Sequence, residues 1–231
     1  MIFTLSGRVG AASGDFPCAA PVRTANASLL LAFLFAGHNL SGPGENILEL
    51  LLRRSRVQIE RQLDELKLYL ENVEDFLTHQ AQRAETKEEQ IKMEEYFPNL
   101  LRSSLFVTIY SMLENELNRL CYKLSKRDGL TVDDLRGNGI IRASTFLIKV
   151  CRVDFPEDSP EWKLLRQYNQ LRNDVVHNNG IVIGNHLDKA VKKIPGFDLG
   201  QGNAIRLNRE FCPEVLKTVR EFFQKLSAAL D

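Results

Sequence analysis

Hydrophobic and polar positions follow one another along most of this chain with the period of a helix. Beyond Glu45, the residues Ile59, Leu63, Leu66, Leu70, Val73 and Leu77 recur at steps of four and three, which puts them on one narrow stripe of a long helix. Glu60, Arg61, Asp64, Glu65, Lys67 and Glu71 fill the other side, a solvated face rather than a partner surface. A connector dense in Glu and Lys spans 84–95, and Phe97-Pro98 restarts the chain, because proline suits a first helical turn. Leu101, Leu105, Thr108, Met112, Leu113, Leu117, Leu120 and Leu124 then mark a second long helix that stops near Asp128-Gly129. Its apolar positions come so often that it is expected at the centre of the core.

Shorter elements follow. Thr131, with Asp133 and Asp134 behind it, has the form of a capped helical start, and Gly137-Asn138-Gly139 reads as a turn before an apolar helical run over 140–150. Ser159-Pro160-Glu161 starts another helix, with serine as cap and proline in the first position. That helix carries Trp162, Leu165, Tyr168, Leu171 and Val175 and closes at Asn178-Asn179-Gly180. The run 181–184 fits a short strand or an extended loop, 200–207 fits a small hairpin, and a last helix covers 213–230 with Val215, Leu216, Val219, Phe222, Phe223 and Leu226 inward. The expected fold class is therefore all-α. Residues 1–44, rich in Gly, Ala, Ser and Pro and ending in Ser41-Gly42-Pro43-Gly44, are expected to be a disordered or weakly ordered leader. The helical domain covers 45–231, divided into the long helix with its connector (45–96) and a core (97–231).

Composition removes some function classes. Thirty Lys and Arg balance thirty Asp and Glu, so no global positive charge advertises nucleic acid or an anionic membrane, and RNA contact would need a local patch such as Lys123, Lys126, Arg127, Arg136 and Arg142. The apolar run 29–35 is too short to span a bilayer and has a poor flank for a signal peptide, which favours a cytoplasmic protein with no membrane partner. Cys18, Cys121, Cys151 and Cys212 form no paired spacing of the zinc-binding kind and read as reduced core thiols. No P-loop, GxSxG elbow, HExxH or strand-flanked GxGxxG occurs, so neither a cofactor nor a metal is expected. His38, His79 and His186 lack ligand or catalytic neighbours, although Asp188 stands near His186.

His177 differs because of what precedes it: Leu171-Arg172-Asn173-Asp174-Val175-Val176-His177. At about 100° per residue, Asn173 lies one turn below His177 on the same face and Asp174 beside it, while Arg172 is turned about 140° away. Two copies of the helix across a twofold axis would bring both residue types to one cleft. A histidine in the last helical turn, near an aspartate, is favoured as imidazolium. It can exchange a proton while an arginine grips phosphate oxygens, the groups required for metal-free RNA cleavage by the 2′-hydroxyl.

The string Arg172-Asn173-Asp174-Val175-Val176-His177 resembles the Arg, polar residue and His motif of the HEPN superfamily, helical domains that often act as metal-independent endoribonucleases. The run Tyr110-Ser111-Met112-Leu113-Glu114-Asn115-Glu116-Leu117 is similar to the earlier core helix of several HEPN groups, so the resemblance spans roughly 97–231 by motif order. It implies a HEPN-like helical bundle and a homodimer with paired motifs at the interface. It implies Arg172 and His177 as catalytic residues and Asn173 as supporting polar residue, and with Asp174 beside them the site would take an RNA substrate. A toxin or antiviral-defence effector, with an antitoxin partner protein, is the biological setting implied. Glu114 and Glu116 are expected near the cleft, or as ordinary core-edge carboxylates.

Three alternatives stay open at this point. His177 could cap helix carbonyls while Arg172 pairs with a neighbouring acid, with no chemistry at all. A HEPN-type domain could bind RNA or scaffold a defence or stress complex without cutting. A helical oligomerisation protein could use the 59–77 seam.

Overall fold

The computed structural model describes residues 47–125, 129–183 and 194–229, with side chains from residue 56 onward. All of them belong to the unit Glu45–Asp231. The expected leader, Cys18, His38, the His186–Asp188 neighbourhood, Lys126 and Arg127 lie outside the described residues.

The fold is mainly helical, with one small hairpin. Helix α1 (Ile47–Gln82) is the long amphipathic element. Ile59, Leu63, Leu70 and Leu77 of its seam are buried, and Leu66 packs partly against them. The seam lies against two later helices of the same chain, α3 and α6, so the stripe that suggested an oligomerisation helix is consumed by the chain's own core.

The connector is more ordered than its composition suggests. Thr86 and Glu89 form a capping box that opens α2 (Lys87–Ile91), as Ser/Thr with Glu three residues later does in general. The chain does not restart at Phe97. A wide π-turn over Lys92–Tyr96 runs straight into α3 (Phe97–Ser125), with the Phe97 N–H donating to the Lys92 carbonyl. Pro98 has no N–H to give and its ring crowds the preceding turn, and a locally widened helix accommodates both.

Helix α3 is the axle. It packs against α1 on one side and against α4 (Gly139–Lys149), α5 (Pro160–His177) and α6 (Phe211–Ala228) on others, and Phe106, Ile109, Tyr110, Leu113, Leu117 and Cys121 are completely buried. A 3₁₀ turn at Val132–Asp134, boxed by Thr131 and Asp134, precedes α4. Burial holds the thiols of Cys121 and Cys212 in the neutral form, pushing both up to about 12, as expected of core cysteines. The hairpin is shifted from its expected place: β1 (Phe197–Leu199) pairs antiparallel with β2 (Ile205–Leu207) around a 3₁₀ turn at Gln201–Asn203. Ile181 adds a single bridge to Ala204. The last helix starts at Phe211 rather than Pro213, because proline fits inside its first turn.

Aromatic edges lock α5 in place. Phe106 of α3, Tyr168 of α5 and Phe211 of α6 meet edge-on at 5.1–6.0 Å, and Trp162 stacks on Phe222 at 5.4 Å. Such pairs add about 0.5–1.5 kcal/mol each beyond their buried area. Their consequence is positional: α5 is held against α3 and α6 at a fixed height.

Candidate functional site

Helix α5 starts where the sequence says it should, with the Ser159 hydroxyl accepting from the Trp162 N–H at 3.1 Å and Pro160 in the first turn. Its end is tied as firmly. The Asp174 carbonyl accepts from both Asn178 and Gly180, at 3.0 and 3.1 Å, and Asn179 and Gly180 turn the chain through positive φ (51° and 73°). The Gly180 carbonyl then accepts from Ile205 of the hairpin at 2.8 Å. Asp174 itself is turned into the protein, 3% exposed, and its carboxylate accepts from the Asn178 amide at 2.9 Å. From inside the protein it anchors the helix end.

Arg172, Asn173 and His177 line one cavity of about 460 Å³, together with Asn169 from α5, Glu114, Asn115 and Asn118 from α3, and Asn138 and Gly139 from the start of α4. The reason is periodicity. Asn169, Asn173 and His177 follow at intervals of four, and Glu114, Asn115 and Asn118 occupy adjoining positions of the facing helix, so two polar stripes meet across the gap. Arg172 is turned away from His177 on the helix, but its side chain reaches round to the same space. A single chain thus brings both motif residues to one cavity, and no second copy is needed for that.

Arg172 is the organising group. Its Nη2 donates to both carboxylate oxygens of Glu114 at 2.7 Å, and Nη1 donates to the Asn173 side-chain carbonyl at 3.0 Å. The guanidinium carbon stands 5.2 Å from the centre of the Tyr110 ring, a cation–π distance that suits a partly desolvated arginine. Both side chains of the ion pair are 19% exposed, while Nε of Arg172 is buried with no hydrogen-bond partner. Burial and the Glu114 charge push the Tyr110 hydroxyl far above its ordinary value, so it stays neutral. His177 is exposed at the rim.

Gly139 shows how closely the three segments approach. Its φ is +54°, and a Cβ there would stand 2.5 Å from Glu114 Oε1. Only glycine combines that backbone conformation with room for the carboxylate. Asn118 presents a buried side-chain oxygen with no partner.

Of the two expected acids, only Glu114 lines the cavity. Glu116 is buried elsewhere and pairs with Arg119 at 2.8 Å. Two residues apart on a helix means about 200° apart around it. The expected basic patch is also thinned, since Arg142 pairs with Asp133 at 3.4 Å. The residues that sequence reasoning missed are Asn169, Asn115, Asn118 and Asn138 with Gly139. The asparagines at intervals of four on α5, poor helix formers placed in line with His177, were a readable signal.

Among the described residues no helix is long and apolar enough to cross a membrane. In comparisons with protein-family models, curated proteins and solved structures, nothing matches this chain.

Proposed function

We propose that this protein is a metal-independent endoribonuclease of the HEPN type, acting in the cytoplasm as a toxin or antiviral-defence effector. The observation that carries the reading is that Arg172, Asn173 and His177, the motif residues, line one polar cavity in the described chain. A permanently charged guanidinium and an exposed imidazole at one cavity are the two groups that phosphate-directed proton-transfer chemistry asks for. In the proposed reaction the RNA 2′-hydroxyl attacks the adjacent phosphorus, Arg172 stabilises charge on the non-bridging oxygens, and His177 transfers a proton. Nη1 of Arg172, which donates to the exposed Asn173 side-chain carbonyl, is the donor that binds a phosphate oxygen in place of that carbonyl. A homodimer, and an antitoxin partner, belong to this proposal through the family resemblance.

A second reading has one observation behind it: Glu114 already neutralises Arg172. That favours a non-catalytic RNA-binding or scaffolding domain in a defence or stress complex. Incubating the purified protein with mixed RNA in EDTA, beside His177→Ala and Arg172→Lys, separates the two. Catalysis predicts cutting by the wild type alone, since His177→Ala removes about 10²–10⁴-fold and lysine lacks the planar fork. RNA retained on the protein but never cut supports the binding role.

A further inference from the structure

We infer that Glu114 is the general base of this cavity, taking the proton from the 2′-hydroxyl while His177 serves as the acid. The inference rests on the ribonuclease reading and goes further, because it assigns both proton transfers within one chain.

Attack by a 2′-oxygen and departure of a 5′-oxygen occur on opposite sides of phosphorus, so one side chain cannot serve both at once. The cavity therefore needs a second proton-transfer group. Glu114, Arg172 and His177 are its ionisable lining residues; the rest are asparagines and a glycine, which do not titrate. Arginine stays protonated throughout. Within one chain Glu114 is the group left, and its setting suits the task. Both of its oxygens stand 2.7 Å from Nη2 of Arg172, so a phosphate gripped by that guanidinium lies next to the carboxylate. The carboxylate is 19% exposed, open enough to meet a ribose hydroxyl. Gly139, without a side chain at the point where a Cβ would strike Oε1, leaves the carboxylate in place.

The step balances. A Glu114 oxygen takes the 2′-hydroxyl proton as the 2′-oxygen bonds to phosphorus. The bond from phosphorus to the 5′-oxygen breaks, and the imidazolium of His177 gives that oxygen its proton. The products are a 2′,3′-cyclic phosphate and a 5′-hydroxyl, with Glu114 protonated and His177 neutral until solvent exchanges the proton back.

A leaving group that needs no acid separates the roles. We would measure kcat/KM against pH for RNA and for a uridine 3′-(4-nitrophenyl phosphate), using wild type, Glu114→Gln, Glu114→Asp and His177→Ala, with circular dichroism to verify folding. Glu114→Gln should lose about 10²–10⁴-fold on both substrates and lose the acid limb of the profile. His177→Ala should be as impaired on RNA yet fall within about tenfold of wild type on the nitrophenyl ester, whose departure requires no proton. Glu114→Asp should be slowed but keep the acid limb, guarding against a merely structural loss. An acid limb that survives in Glu114→Gln would overturn the assignment and leave Glu114 as the residue that positions Arg172; rescue of that variant by the ester would make Glu114 the acid instead, and a His177→Ala loss as deep on the ester as on RNA would give the base to a histidine. A wild type inert towards both substrates would remove the ribonuclease reading itself, and the base with it.

Discussion

Two arginine–glutamate pairs among the described residues have the same length, 2.7 Å, and different surroundings. Arg102 Nε meets Glu74 at 2.7 Å with the side chains 11% and 10% exposed; Arg172 meets Glu114 at 2.7 Å with both 19% exposed. At the first pair the charges hold segments together. Arg209 supplies Glu74 with a second cation at 2.9 Å, and Arg102 also donates to the Leu207 carbonyl of the hairpin. The cluster joins α1, α3 and the segment between the hairpin and α6. At the second pair Glu114 has a single arginine, Nε of Arg172 lacks a partner, and a histidine and asparagines surround the remaining space. Cavities border both pairs, so neither a cavity nor an ion pair distinguishes them. What does is the unspent hydrogen-bonding capacity of the second pair and a proton-transfer group beside it.

Substitutions should split along this line. The largest expected effect is on chemistry: His177→Ala should lose about 10²–10⁴-fold in RNA cleavage with almost no change in thermal midpoint, because the side chain is exposed. Calorimetry beside a cleavage assay checks both halves. Glu74→Ala should show the reverse, costing about 3 kcal/mol or more by leaving Arg102 uncompensated, while the folded fraction keeps its activity. Urea denaturation measures the first and activity per folded molecule the second.

Gly139→Ala should affect both properties. A side chain at positive φ is strained by about 1 kcal/mol, and the added carbon would stand 2.5 Å from Glu114 Oε1 and displace the carboxylate from its present position, so activity should fall while the protein still folds. If activity is unchanged, the contact between Glu114 and Arg172 is not required. Glu116→Gln, on the far side of α3, should leave cleavage as it was.

The site was only partly legible in the sequence, and the reasons are physical. The seam of α1, the central place of α3 and the Ser159–Pro160 start of α5 follow from periodicity and capping, which are local. The motif at the end of α5 was visible too. Which face each polar residue turns to was not, because it depends on packing: Asp174 is drawn inward to the helix end, and Glu114 and Glu116 part company around α3. Asn138-Gly139 read as a plain turn, and only the approach of α4 to α3 makes it a wall of the cavity. The helix continuing through Lys92–Tyr96 was hidden because Pro98 signals a start and gives no sign of a widened turn.

The smallest expected effect concerns the thiols. Cys121 and Cys212, pushed up to about 12 by burial, should resist iodoacetamide at pH 8 in the folded protein, while the half-buried Cys151 reacts before either of them. A thiol raised in the folded state adds stability that is full below its ordinary value near 9.0 and lost as pH rises from there towards 12. Stability should therefore decline on the alkaline side, followed by urea midpoints across that range.

The most direct test of the central claim is the chemistry of the ends left on RNA cut in EDTA, read by mass spectrometry. Cleavage at the Glu114–Arg172–His177 cavity predicts 2′,3′-cyclic phosphate and 5′-hydroxyl ends, and none at all on RNA methylated at the 2′-oxygen. Ends carrying a 3′-hydroxyl and a 5′-phosphate, or cutting that appears only when magnesium is added, would contradict it.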